Sequence, residues 1–392
     1  MENQTAFKGG VILPGRILDD GYVACQGGRI ADIGIGAPPP GFDIVEGKFI
    51  SPGFVDIHVH GAANADYMDG SEEAVRISNR AHAKHGTTSI FPTTTTGTFA
   101  ELDSMIAACE KVRHAWEPGD GAHIAGIHFY GPYFAAEKVG VHSVTGRRDP
   151  VREEYEYFLG KPIVRIATCA AELPGALDFY RFAESQGCFI TCGHSNASWQ
   201  ELEAGFEHGV RHVDHFWCAM SSVSSLRQRF GTPMRASMEQ YVLYNDDMST
   251  EVIADGVHLS DELLRFAYKM MRPARLCLVT DANRALDCPP GDYRFGPQET
   301  GTLVVSDGEA VRGRDGGLAS SMHGMDHMVK TMWKATGAPL YNIVNMASLT
   351  PAKLAGVSSK VGSLETGKTA DILVLSEDLD IDAVYLAGRQ FT

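Results

Sequence analysis

Residues 52–61 read Pro52-Gly53-Phe54-Val55-Asp56-Ile57-His58-Val59-His60-Gly61. A Pro-Gly break opens the stretch, and apolar β-branched and aromatic residues then alternate with Asp and His, the pattern of a short strand. Side chains two apart on a strand share one face. His58 and His60 therefore aim two imidazoles into the same space at the strand's C-terminal end. Two nitrogen donors so placed suit a divalent transition metal. A pair of solvent-facing histidines at a strand end is the plainer alternative, and the polar residues at later strand ends decide between them.

Outward from this stretch, short apolar strands are predicted at 54–58, 88–91, 123–128, 163–167, 189–192, 212–215, 251–254 and 276–281. Helices with start signals separate them. Thr98-Phe99-Ala100-Glu101 and Ser198-Trp199-Gln200-Glu201 are capping boxes, in which hydroxyl and carboxylate each take an orphan amide of the first turn. The second helix is read to stop at Gly209. Ser71 with Glu72 and Glu73 opens another, which ends at His85-Gly86. Thr350-Pro351 reads as a cap followed by proline at the first helical position. Eight strands alternating with helices predict an α/β chain built as a (β/α)8 barrel. The first fifty residues and the last forty hold only short strands, so both termini are read as one small β-sandwich domain, 1–50 plus 352–392, beside a barrel domain at 51–351.

The 392 residues carry 34 Lys and Arg against 49 Asp and Glu, a net charge of −15, with 44% hydrophobic residues. That balance fits a folded soluble protein. It argues against a nucleic-acid partner and against an anionic membrane surface. Eight scattered cysteines without a Cys-x-x-Cys pair read as thiols of a reducing compartment. The start, Met1-Glu2-Asn3-Gln4, shows no leader pattern, and no apolar run is long enough to span a bilayer. A cytoplasmic location is the expectation.

A barrel gathers polar residues at the C-terminal ends of its strands. His194, in Cys192-Gly193-His194-Ser195-Asn196, follows an apolar strand, and His215 ends His212-Val213-Asp214-His215. Each alone fits a hydrogen-bonded core histidine; in series with His58 and His60 they read as metal ligands. Asp281 closes Leu276-Cys277-Leu278-Val279-Thr280-Asp281, a lone carboxylate after an apolar run. It is placed as a metal-contacting base, passing a proton from water to a leaving amine. His142 is either surface or substrate-facing, and His258, after the seventh strand, is a further site candidate. Arg227 and Arg229 make a basic spot that either binds an anion such as phosphate or lies in a solvated loop. Cys218 beside the mouth is reactive or simply a small buried hydrophobe. Neither a Walker-type glycine loop nor a Gly-x-Ser-x-Gly elbow is present.

With these residues in place, the chain resembles the amidohydrolase superfamily, and within it the N-acetylglucosamine-6-phosphate deacetylase family. Ser51-Pro52-Gly53-Phe54-Val55-Asp56, Gly193-His194-Ser195-Asn196-Ala197, Ile253-Ala254-Asp255-Gly256-Val257-His258, Leu278-Val279-Thr280-Asp281-Ala282 and Gly362-Ser363-Leu364-Glu365-Thr366-Gly367 carry the likeness. The resemblance implies a zinc-type divalent metal, ligands at His194 and His215, and an acid and base at Asp281. It also implies a substrate-facing His142, substrate contacts at Cys218 and Ala219, a phosphate-contacting His258, and a homodimer lending Arg227 (or Arg229) across to the partner's phosphate. Two departures stand out. The family's metal-binding Glu is replaced by Tyr130 in His128-Phe129-Tyr130-Gly131-Pro132, and its phosphate-holding Asn by Cys218. A single ion held by His58, His60, His194 and Asp281, with His215 orienting water or substrate, would accommodate the first. The implied activity is deacetylation of an N-acetyl amino-sugar phosphate. Its rivals are an amidohydrolase acting on another N-acyl or cyclic amide without phosphate, and a non-catalytic sugar-phosphate binder whose site has decayed at Tyr130.

Overall fold

The computed structural model describes residues 4–392. Met1, Glu2 and Asn3, on which the leader reading drew, lie outside the described residues. The fold is mixed α/β. A six-stranded sheet runs through Ile127–Phe129, Val164–Thr168, Phe189–Cys192, Val210–Val213, Ser249–Val252 and Leu276–Leu278, every neighbouring pair parallel. A second parallel sheet holds Phe54–Val59, Thr87–Pro92 and His123–Ile124. The two sheets touch at both margins. Thr93 pairs in parallel with His128, and the Asp281 N–H donates to the His58 carbonyl at 2.9 Å. That second link sets the last parallel strand directly against the strand bearing His-x-His.

Four strands differ from the sequence reading, the last because it ends at Leu278, three residues before Asp281. The stretch 123–128 is broken into two pieces. At Gly126, a Cβ would lie 2.4 Å from Cγ of Arg165, so glycine is required where the strand yields to that side chain. The sixth strand is Val210–Val213, and the seventh is Ser249–Val252. Asp214 and His215 thus stand beyond a strand end, where the chain turns. The helix after Ser348 is Leu349–Leu354, so Thr350 is not its cap. Its hydroxyl donates instead to the Pro273 carbonyl at 2.7 Å, tying the helix to the loop before the last parallel strand. The capping boxes at Thr98 and Ser198 form with both reciprocal bonds, and Ser71 accepts from the Ala74 amide.

Both ends of the chain meet in one seven-stranded sheet, in which Asp43–Pro52 lies between Gln4–Leu13 and Ile372–Leu375. Phe7, Val11, Ile50, Ile372 and Val374 form its own apolar cluster. The main core lies around the parallel strands, and a third small cluster, with Phe295 and Val304, sits under the antiparallel strands Gly291–Phe295 and Thr302–Ser306. All eight cysteines are free thiols. Among the described residues no helix is long and apolar enough to cross a membrane.

One ion-paired histidine clamps helix Glu72–Lys84 to the rest. His85 lies 3.0 Å from Asp287 through Nε2 and 3.0 Å from Asp326 through Nδ1. Burial disfavours its cation, but hydrogen bonds and charge from the two aspartates prevail and raise its pKa to about 10. The folded state therefore holds this proton more tightly than the unfolded chain, whose histidine titrates near 6.5. The resulting stability is complete below about pH 6.5 and is lost as pH rises through about 10. His85→Gln is expected to lower Tm by about 2–4 °C at pH 6, with the gap to wild type closing by pH 10. Thermal melts of both proteins across that range test this, and a gap that widens with pH would refute it.

Candidate active site

Two buried imidazoles and one carboxylate converge where the strand Phe54–Val59 meets the segment after Leu276–Leu278. His58 and His60 are 0% and 1% exposed. His58 Nδ1 is 2.5 Å from Glu251 Oε1, and His60 Nδ1 donates to the Thr93 carbonyl at 3.2 Å. Each ring thus spends Nδ1 on its support and turns Nε2 inward, an arrangement that orients metal-binding histidines. His60 Nε2 lies 3.2 Å and His58 Nε2 3.7 Å from Asp281 Oδ1. Donors around a tetrahedral ion at about 2.0–2.1 Å stand about 3.3 Å apart, so these spacings fit one.

A buried polar atom without a partner is costly, and His58 Nε2 is such an atom. Burial by itself disfavours a charge on His58, yet Glu251, Asp281 and Asp214 around it raise its pKa to about 9. Burial would likewise raise Asp281, but the hydrogen bond from His60 and the charges of His58 and His60 hold it well below the carboxylate range. The cluster attracts positive charge, and His58, His60 and Asp281 have donor atoms all within 4.8 Å of one another. These residues fit a divalent metal.

Beside them stands a second group that reads differently. His194 Nδ1 is 2.5 Å from the Lys138 carbonyl, and His215 Nδ1 is 3.1 Å from the Cys218 carbonyl. A carbonyl only accepts, so both protons sit on Nδ1 and both Nε2 atoms are bare. Those two nitrogens face each other at 3.2 Å. Tyr130, fully buried, places its hydroxyl 2.6 Å from His215 Nε2 and donates to it. Burial, then the charges of Asp214, Asp281 and Glu251, keep that phenol well above its ordinary pKa.

A cavity of about 340 Å³ opens over both groups. His60, Tyr130, His194, His215 and Asp281 line it, as do His142, Cys218, Ala219 and His258. His142 is buried with an unpartnered Nδ1. His258 is braced from behind, its Nδ1 2.7 Å from Asp255 Oδ2. The two arginines separate. Arg229 is bound to Glu201 at 2.7 and 2.8 Å and to the Asn196 carbonyl at 3.0 Å. Arg227 is exposed on the helix Val223–Phe230, with no ion pair or side-chain hydrogen bond among the described residues, and is not in the cavity wall.

Backbone strain collects here. Of thirteen described non-glycine residues with positive φ, His194, His215, Trp217, Ala219, Asp281 and Ser320 belong to this region. Such conformations persist where the surroundings over-determine them. The turn at His215, with φ 23°, swings a ring that left its strand two residues earlier.

Glu251 escapes a motif-based reading. It is fully buried, and besides His58 it meets His212 Nε2 at 3.2 Å and accepts the His215 amide at 3.1 Å. Its signal was available: a lone carboxylate inside Ser249-Thr250-Glu251-Val252-Ile253 has no packing reason to be there. Asp56 is a second such brace, its Oδ2 accepting from Thr280 Oγ1 at 2.5 Å beneath the site.

An amidohydrolase family model matches residues 49–391. The N-acetylglucosamine-6-phosphate deacetylase of Vibrio furnissii is 30% identical over 87% of this chain and 82% of its own length. An N-acetylgalactosamine-6-phosphate deacetylase of Escherichia coli O157:H7 is 29% identical over 95% and 96%. Among solved structures, the Mycobacterium smegmatis N-acetyl-D-glucosamine-6-phosphate deacetylase, a D267A mutant in complex with N-acetyl-D-glucosamine-6-phosphate, superposes with a TM-score of 0.90 at 26% identity, all of both chains being covered.

Proposed function

The chain belongs to the amidohydrolase family and, within it, to the N-acetylglucosamine-6-phosphate deacetylase family, and from that premise we propose that it releases acetate from an N-acetyl amino-sugar 6-phosphate with a divalent metal, zinc being the ion that its nitrogen and oxygen donors suit best. The buried trio of His58, His60 and Asp281, the last two of which line a substrate-sized cavity, carries this reading. His194 would be the fourth donor to the ion, and His215, held by Tyr130, would orient water or substrate.

When bound there, the ion would supply Lewis acidity and bring the pKa of solvent toward neutral pH. The protein supplies the rest. Asp281 takes the proton of the water that adds to the acyl carbon. His142 donates to the carbonyl oxygen as negative charge builds on it. When the carbon–nitrogen bond breaks, Asp281 returns its proton to the departing amine, leaving acetate and amino-sugar phosphate. His258 meets the phosphate, and Cys218 and Ala219 bound the sugar.

The two parallel sheets, joined at both margins, are read as one closed (β/α)8 barrel at 51–351, with 1–50 and 352–392 forming the β-sandwich domain. The exposed and unpaired Arg227 fits a homodimer in which it reaches the phosphate of the partner's site. A cytoplasmic location fits its eight free thiols, which a reducing compartment would keep unpaired.

Acetate release from N-acetylglucosamine-6-phosphate, its galactosamine epimer and unphosphorylated N-acetylglucosamine tests the proposal. The phosphorylated sugars are expected to exceed the free sugar by about 10²-fold in kcat/KM, the worth of a charged contact or two. His258→Ala is expected to raise KM for the phosphorylated substrate about tenfold with kcat little changed. Cys218 in the cavity wall favours a second reading, an unphosphorylated N-acyl substrate, because a thiol is a poor phosphate donor. Equal turnover of phosphorylated and free sugars would select it.

A further inference from the structure

Ser320 has φ 59°, a region where the Cβ of an L-residue crowds the backbone and glycine is at ease. Its neighbours allow no escape. The Ala319 N–H donates to Val311 O at 2.9 Å, and Asn283 Nδ2 donates to Ala319 O at 2.8 Å. The Ser321 N–H donates to Asp281 O at 2.9 Å, and the Asn283 N–H donates to Ser321 O at 3.0 Å. Glycine would occupy that backbone without strain, so what serine adds lies in its side chain. Its hydroxyl donates to Asp281 Oδ1 at 3.3 Å, and the residue lies in the cavity wall. Oδ1 is the same oxygen that faces His60 Nε2 and His58 Nε2. Among the described residues nothing hydrogen-bonds Oδ2.

We propose that Ser320 is a positioning residue for acyl cleavage: its hydroxyl pins Oδ1 of Asp281 toward the two imidazoles and thereby presents Oδ2 to the cavity as the oxygen that takes and returns the proton. A carboxylate free to rotate would share its two oxygens between both tasks and spend part of its time misaligned, and alignment is what proton transfer requires. The strained backbone is then the cost of bringing a hydroxyl to this spot. The proposal rests on the deacetylase reading. Failure of that reading shows in the wild type itself, whereas failure of this one shows only in the variants.

Ser320→Gly removes hydroxyl and strain together; Ser320→Ala removes the hydroxyl and keeps the strain. Both are expected to lower kcat about tenfold, the effect of one lost hydrogen bond, with KM within about twofold. Metal content should equal wild type in both. The glycine variant should melt no lower than wild type and about 1–3 °C above the alanine variant. A glycine variant with wild-type kcat would overturn the proposal. So would a loss of kcat that tracks a fall in Tm or in bound metal, since that is the pattern of a purely structural residue.

Discussion

Asp281→Asn is expected to lower kcat for acetate release by about 10³-fold, or about 4 kcal/mol in the barrier. The substitution is close to isosteric. Asparagine tolerates positive φ better than other residues, so the backbone at φ 45° stays as it is, and the amide oxygen can still accept from Ser320. What goes is the negative charge and the capacity to carry a proton. His58 and His60 lose the counter-charge 3.7 and 3.2 Å away, so the ion is held less well. Assays are therefore made at saturating divalent metal, with bound metal measured on the same sample. A metal-saturated variant within about tenfold of wild type would remove Asp281 from the proton path.

The part of this site legible in the sequence is the part whose spacing is local. His58 and His60 share a face because a strand repeats every two residues, and they stand together as that rule demands. Asp281 was conspicuous as a carboxylate ending an apolar run. The stretch 212–215 reads as a strand ending at His215, whereas the strand ends at Val213. Extended backbone would have pointed His215 along the same face as Val213; the observed turn points it at Tyr130 instead. No periodicity announces a turn of that kind, because tertiary packing imposes it.

The supports beneath His58 and Asp281 were hidden for another reason. Glu251 contacts His58 across 193 positions of sequence, and Asp56 reaches Thr280 across 224. Such pairs are set by which strands become neighbours. Only after the segment following Leu276–Leu278 is laid against the strand bearing His58 does the Asp56 carboxyl acquire its partner. The choice between Arg227 and Arg229 has the same character. Two residues apart on one helix, they look alike until Glu201, itself fixed by the capping box at Ser198, claims Arg229.

Tyr130→Glu is expected to raise bound divalent metal from about one equivalent per chain to about two. In the wild type, the Nε2 atoms of His194 and His215 stand 3.2 Å apart, but among the described residues no carboxylate hydrogen-bonds either one to anchor a second ion, so His194 serves the first. With a carboxylate at position 130 it joins His215 instead, and His58, His60 and Asp281 keep the first ion as a trio. The phenol at Tyr130 is held in its neutral form by burial and by the surrounding carboxylates, and its proton already occupies the lone pair of His215. A carboxylate in its place reverses both facts: it gives up no proton to His215 and adds an anionic oxygen to two imidazoles, a donor set of the kind that holds zinc in three-ligand protein sites. Tyr130→Phe separates the two effects, because it frees His215 without adding charge, and it is expected to stay at one equivalent. Metal analysis after exhaustive dialysis against metal-free buffer reads the outcome directly and needs no substrate. Two equivalents in the wild type would show that a neutral phenol does not block the second site, and one equivalent in Tyr130→Glu would show that the missing charge is not what limits it.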